Sequence, residues 1–301
     1  PSPIGGIPFA IDFAPSILFA VLHGLLAPAI LNRWIRRKSR YTSLTGSMFL
    51  CLHRIIELAI RALQAHSTKS RVNPMFIVIL QTAYTMGSIA YGAGLYTQSL
   101  YGFNVQSLTD HEKSDAQSLR SMYEGDTRHS REAVEEVDSL DSDEKSGHTA
   151  WRERLYRRLF YAARIHYHVL NAMAAASGTL YIIAMGHDNP ANNYSQHRYV
   201  SCAGALLLLQ ATNAAAIFGY MRFPGIPRAS ALFLSYMACL LSIPTVYRLL
   251  TMTNMTMDIL STAPGTLNTP LAKAAFYVFF IAPDWICAVC LMSVYVHEML
   301  S

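Results

Sequence analysis

Residues Met48 to Leu63 read MFLCLHRIIELAIRAL, and this stretch decides the fold. It is apolar enough to enter a bilayer, yet it carries Arg54, Glu57 and Arg61. Spacings of three, four and seven residues set all three charges on one stripe of a helix. A charge inside a spanning helix costs at least ~2.5 kcal/mol on insertion scales, so such residues face protein or water and carry function. The stripe therefore predicts other membrane helices that cover it and supply its partners.

The rest of the chain has the composition that such a bundle needs. Of 301 residues, 52% are hydrophobic and 14% charged, with a mean hydropathy of +0.23. That is too apolar for an ordinary soluble protein of this size. A spanning helix takes about 20 mostly apolar residues. Seven segments qualify, near 11–31, 48–64, 74–101, 155–185, 199–220, 229–250 and 272–297. The expected fold class is all-α: a polytopic seven-transmembrane-helix bundle, with spans 1–3 in residues 1–101 and spans 4–7 in 155–301.

Charge sets the orientation. Arg33, Arg36, Arg37, Lys38 and Arg40 follow the first span and fix that end in the cytoplasm. The N-terminus is then outside and the C-terminus cytoplasmic. Leaving out the interior of the long loop, eleven Lys/Arg lie at cytoplasmic ends, against Lys69, Arg71, Arg198 and Lys273 outside. The glycosylation sequons at Asn193 and Asn254 fall in loops on the outer side. The net charge of +5 reads as topogenic, so no nucleic-acid partner is expected. Membrane lipid is the expected surrounding, in the plasma membrane or an endomembrane.

Between the two groups of spans, residues 102–154 hold thirteen of the nineteen acidic residues, many serines and few large apolar side chains. This composition predicts a disordered cytoplasmic loop, the expected contact for a cytoplasmic signalling partner. Its SLDSDEKSG stretch fits either an acidic-directed phosphorylation site or a solvated linker. All five cysteines lie in apolar segments, so no disulfide framework is implied, and the Cys287/Cys290 pair reads as packing. No cleavable signal peptide is evident. The start at Pro1, without an initiator Met, suggests a fragment or a trimmed chain.

Rise per residue converts position into depth. Counting from an exit near Gln64, Arg54 lies ~15 Å below the outer surface and Arg61 ~5 Å, while Asp284 lies ~18 Å down its own span. An Arg54–Asp284 pair is expected near midplane, and Glu57 and Arg61 can pair within their own helix. Such a network is either purely structural or a polar ligand site or switch. Arg61, Arg248 and Lys273 gather near the outer face. Separate snorkelling to the interface is the preferred account, and a positive mouth for an anionic ligand is the other.

Other function classes are weighed against particular residues. A membrane metal hydrolase would draw on His23, His53, His166, His168, Asp284 and His297, but these show no paired ligand spacing. No cofactor and no metal are expected. Lys273 sits at the outer entrance of span seven rather than deep within it, which excludes a retinal-binding opsin. A small-solute or ion transporter would use Pro244 and Pro283 to break helices, with Asp284 as the proton or ion carrier. Those prolines also fit simple kinks.

Three short motifs carry a resemblance. RIIELAIR, with Arg54 and Arg61 seven apart, resembles the equivalent span of a group of fungal seven-helix proteins. That group is often labelled "family C-like G-protein-coupled receptor". KAAFYVFF, opening span seven at Lys273, is similar to its most recognisable stretch, and VYRLL, with Arg248, to a weaker aromatic-arginine signal. The order and spacing of the spans agree over nearly the whole chain. Departures are Phe280, where a polar residue is expected, and the long acidic loop. The resemblance implies a non-catalytic, receptor-like sensor, with Arg54, Arg61, Arg248 and Lys273 as positions of interest.

Overall fold

Helix is the only regular structure among the residues that the computed structural model describes: 3–35, 42–85, 87, 191–222, 228–254, 258–293 and single positions between 158 and 176. A 3-10 turn, Ala10–Asp12, leads into α1, Phe13–Gly24, and then α2, Ala27–Ile35. Next come α3, Thr42–His66, and the short α4, Thr68–Arg71. They are followed by α5, Pro74–Thr85. The C-terminal half holds α6, Ala191–Arg222, and α7, Arg228–Thr251. A last rod comprises α8, Pro270–Phe276, a π-helical turn, Tyr277–Ile281, and α9, Ala282–Ser293. The acidic stretch 102–154 lies outside the described residues, as does most of the expected span over 155–185.

Among the described residues, four helical stretches are long and apolar enough to cross a membrane: Ala10–Ala29, Arg198–Phe218, Ala231–Thr251 and Pro270–Leu291. Such a fold is compatible with an integral membrane protein. The charged α3, at 25 residues, has the length to cross but carries Arg54, Glu57 and Arg61 along it. The burial pattern of α3 inverts that of a surface helix in a soluble protein. Arg54, Glu57, Arg61 and Gln64 face inward, while Leu52, Ile56 and Leu63 point outward. Charged groups are almost never buried without partners, so this helix must be covered by polar groups on its neighbours.

The first span is expected as one helix over 11–31, but it breaks at Leu25–Leu26. Pro28, two residues into α2, has no N–H to give. Its ring also collides with the carbonyl four residues back, that of Gly24, where α1 stops. The last rod is interrupted for the same reason. Pro283 sits four residues after Phe279 and cannot continue the ordinary ladder. The chain widens instead, with the Ala282 N–H bonding back five residues to the Tyr277 carbonyl. Thr269 starts that rod by accepting from the Ala272 N–H at 3.3 Å, ahead of Pro270 in its first turn.

α6 and α7 pack along their lengths. Cys202 Sγ meets the Thr245 carbonyl at 3.3 Å, Gln210 bonds Ser242 at 3.0 Å, and Ser235 bonds Asn213 at 2.6 Å. Partner numbers fall as positions rise, so the pair is antiparallel. Interhelical polar bonds of this kind hold helices together where lipid removes the hydrophobic drive. α1 covers α3, and α9 lies on α7. Among these helices an aromatic core forms from Tyr84, Tyr247, Phe276, Tyr277 and Phe280. Residues 3–8 fold back into the bundle beside it and are buried along their whole length.

Candidate functional site

Two buried charge clusters share α3. The first centres on Asp12, at the start of α1. Its Oδ1 accepts from Arg61 at 2.8 Å, and its Oδ2 lies 3.1 Å from Lys273 Nζ. The Phe9 N–H also donates to Oδ2 at 2.9 Å. Arg61 Nε donates to the Tyr277 hydroxyl at 3.1 Å, and that hydroxyl is 2.7 Å from Ser16 Oγ. The Arg61 guanidinium lies 4.4 Å over the Phe276 ring, a cation–π seat inside the bundle. The cluster thus holds two cations and one carboxylate, each at most 2% exposed.

The second cluster sits two helical turns along α3, about 10 Å away by helix rise. Arg54 bonds Glu57 at 2.5 Å and forms an ion pair with Asp284 on α9. His53 Nδ1, on a half-exposed ring, approaches Glu57 at 3.1 Å. Among the described residues, one arginine here serves two carboxylates, the reverse of the first cluster. Gly87 lies against the Arg54 guanidinium so closely that any Cβ there would overlap it. The rings of Phe276 and Phe280, stacked at 5.3 Å, run between the clusters, with Phe280 5.6 Å from the Arg54 guanidinium. Phe280, at the position where the resemblance implies a polar residue, is therefore a buried ring between two charged sites.

The sequence expectations divide cleanly on this geometry. Arg54 and Asp284 do meet across the bundle. Glu57 and Arg61 do not pair with each other: Glu57 turns to Arg54 and His53, and Arg61 to Asp12. Snorkelling is overturned for Arg61, Arg248 and Lys273, which are 0, 0 and 2% exposed and point into the protein. The reason is supply: the bundle offers a carboxylate, carbonyls and ring faces, so these stems need not reach for water. Arg61 and Lys273 come together, whereas Arg248 donates to the Thr85 carbonyl at 3.2 Å. Asn254 follows the last turn of α7, half-buried. Asn193, expected in a loop, lies in the first turn of α6. No group of three or more metal-ligating side chains occurs among the described residues.

Asp12, Gln81, Asn268 and Tyr277 escape sequence reasoning altogether. A signal for Asp12 was there. Outside the acidic stretch few carboxylates fall within expected spans, and Asp12 is the one left over after Glu57 and Asp284. Counting acids against Arg54, Arg61, Arg248 and Lys273 would have singled it out. No protein-family model matches this chain, and neither a curated protein nor a solved structure matches it.

Proposed function

We propose that this chain is a receptor-like sensor: a seven-helix membrane protein that responds to a ligand instead of converting one. In this reading the Asp12 cluster lies toward the outer face. The acidic stretch 102–154 faces the cytoplasm, where a signalling partner would bind. The observation that carries the reading is the pair of oppositely unbalanced charge clusters on one helix. Among the described residues, one has a cation in surplus and the other a carboxylate. At about 10 Å inside a poorly screened interior, a change of charge or position at one is felt at the other. Both are also fixed to α3 and to the Pro270–Ser293 rod, so rotation of either helix displaces both. Two packed arrangements of such elements are what a switch requires. The resemblance of RIIELAIR and KAAFYVFF to the fungal seven-helix group points the same way.

The test is amide exchange on the full chain in lipid nanodiscs, comparing it with Lys273→Met. Altered protection around Arg54, two turns from the substitution, is the expected result. An unchanged pattern there would remove the coupling on which the reading rests.

One observation favours the transporter as a second reading. The widened turn at Tyr277–Ile281 opens the helix next to Pro283 and Asp284. Proton or ion flux in liposomes that is lost in Asp284→Asn would establish that reading and discard the sensor.

A further inference from the structure

Residues 3–8 are held in an unusual way. Their backbone is gripped almost entirely by side chains of the bundle, in the manner of a bound peptide. Gln81 takes both backbone groups of Ile4, accepting from its N–H at 2.8 Å and donating to its carbonyl at 3.4 Å. Asn268 Oδ1 accepts from the Ile7 N–H at 2.9 Å. Its Nδ2 is already committed to the carbonyls of Ile259 and Ser261, at 2.8 Å each, so this clamp is oriented in advance. Two cations converge on the carbonyls between. Arg61 and Lys273 donate to the Gly5 carbonyl at 2.8 and 3.0 Å, and Lys273 also reaches the Ile7 carbonyl at 2.5 Å.

The side chains of the segment are read as well. Ile4 fills a slot beside Leu58, Leu80 and Phe276, and Ile7 packs on Ile77. Gly5 and Gly6 hold φ of +71° and +63°, a region open mainly to glycine. A Cβ on Gly5 would lie 2.6 Å from the Phe276 ring, and one on Gly6 would strike the Leu267 carbonyl at 2.6 Å. Main-chain bonds supply affinity and side-chain pockets supply selectivity, as in known modes of peptide recognition.

We propose that this pocket is a peptide site, and that residues 3–8 occupy it in cis as a tethered ligand of the form apolar-Gly-Gly-apolar. A separate peptide of that form takes the site when the tethered one is kept out. The pocket selects for peptide carbonyls because Arg61 and Lys273 share a single carboxylate, Asp12. Any occupant must return oxygen acceptors to the surplus cation. This inference does not depend on the signalling reading, because occupancy is measured without any response.

The test uses the full chain in detergent micelles and a fluorescein-labelled peptide PIGGIPF, the sequence of residues 3–9, with binding followed by anisotropy. Gly5→Val combined with Gly6→Val keeps the chain length but bars the segment from its seat. Saturable binding to that variant is expected. Binding should fall at least tenfold when Lys273→Met is added, and a peptide with valine in place of both glycines should not bind. The unsubstituted chain should bind roughly 100-fold more weakly, since its own segment competes at millimolar effective concentration. A folded variant that takes no peptide, or equal binding by both chains, would overturn the proposal. If the variant is unstable, added PIGGIPF should raise its melting temperature. Failure to do so makes the segment a structural strap and ends the idea.

Discussion

Within the second cluster, removing Arg54 should cost far more than removing one of the two carboxylates it holds. Arg54 faces Glu57 at 2.5 Å and Asp284 across the helix interface, with all three side chains at most 2% exposed. Arg54→Met leaves both carboxylates without their cation, and breaking a buried pair by deleting one partner costs about 3–5 kcal/mol. The loss does not double, because one carboxyl can take up a proton instead of remaining charged. Asp284→Asn, by contrast, leaves Arg54 and Glu57 as a balanced pair and keeps an amide oxygen beside the guanidinium. Its cost should be that of an ordinary hydrogen bond, about 1 kcal/mol. The two variants should therefore differ by at least about 2 kcal/mol, more than a tenfold ratio in the unfolding equilibrium. Reversible unfolding in mixed micelles, followed by helical circular dichroism, measures both. Equal costs for the two, or an Arg54→Met protein within about 1 kcal/mol of the parent, would refute the reasoning that surplus charge is the cheaper one to lose.

The mirror experiment applies at the first cluster: Asp12→Asn strands two cations and should cost about 3–5 kcal/mol, whereas Lys273→Met, which removes the surplus cation but orphans the Ile7 carbonyl, should cost about 1–3 kcal/mol. Equilibrium unfolding of the two variants orders them, and the reverse order would contradict this account. Gly87→Ala drives a methyl onto a guanidinium pinned between two carboxylates and should cost about 1–3 kcal/mol. That cost should largely vanish in an Arg54→Met background, which a double-mutant cycle reads directly. Because α6 and α7 are antiparallel, Asn193 and Asn254 lie at the same end of that pair. Expression in microsomes should glycosylate both, and a glycan on one with protease exposure of the other on the opposite side would break the expected topology.

How far the sequence reached is clearest on α3. The stripe Arg54–Glu57–Arg61 follows from helical period alone, and so does the demand that other helices cover it. Depth was legible too, since each residue adds a fixed rise along the axis, and that arithmetic was enough to match Arg54 with Asp284. Rotation about the axis is another matter. Whether Glu57 turns to Arg61 or to Arg54 depends on which neighbour stands beside each face, and no spacing within α3 decides it. The same holds for Arg61 and Lys273, which sequence position places near an interface and packing turns inward. Their carboxylate is 49 residues from Arg61 in the chain, and it is brought there because residues 3–12 fold back into the bundle. The π-helical turn before Pro283 was likewise hidden, because proline forbids the regular ladder without stating how the helix will be mended. Hydrophobic period and rise are properties of one helix, written locally in the sequence. The partners of a buried charge are properties of several helices at once, chosen by the packing that leaves the fewest charges alone.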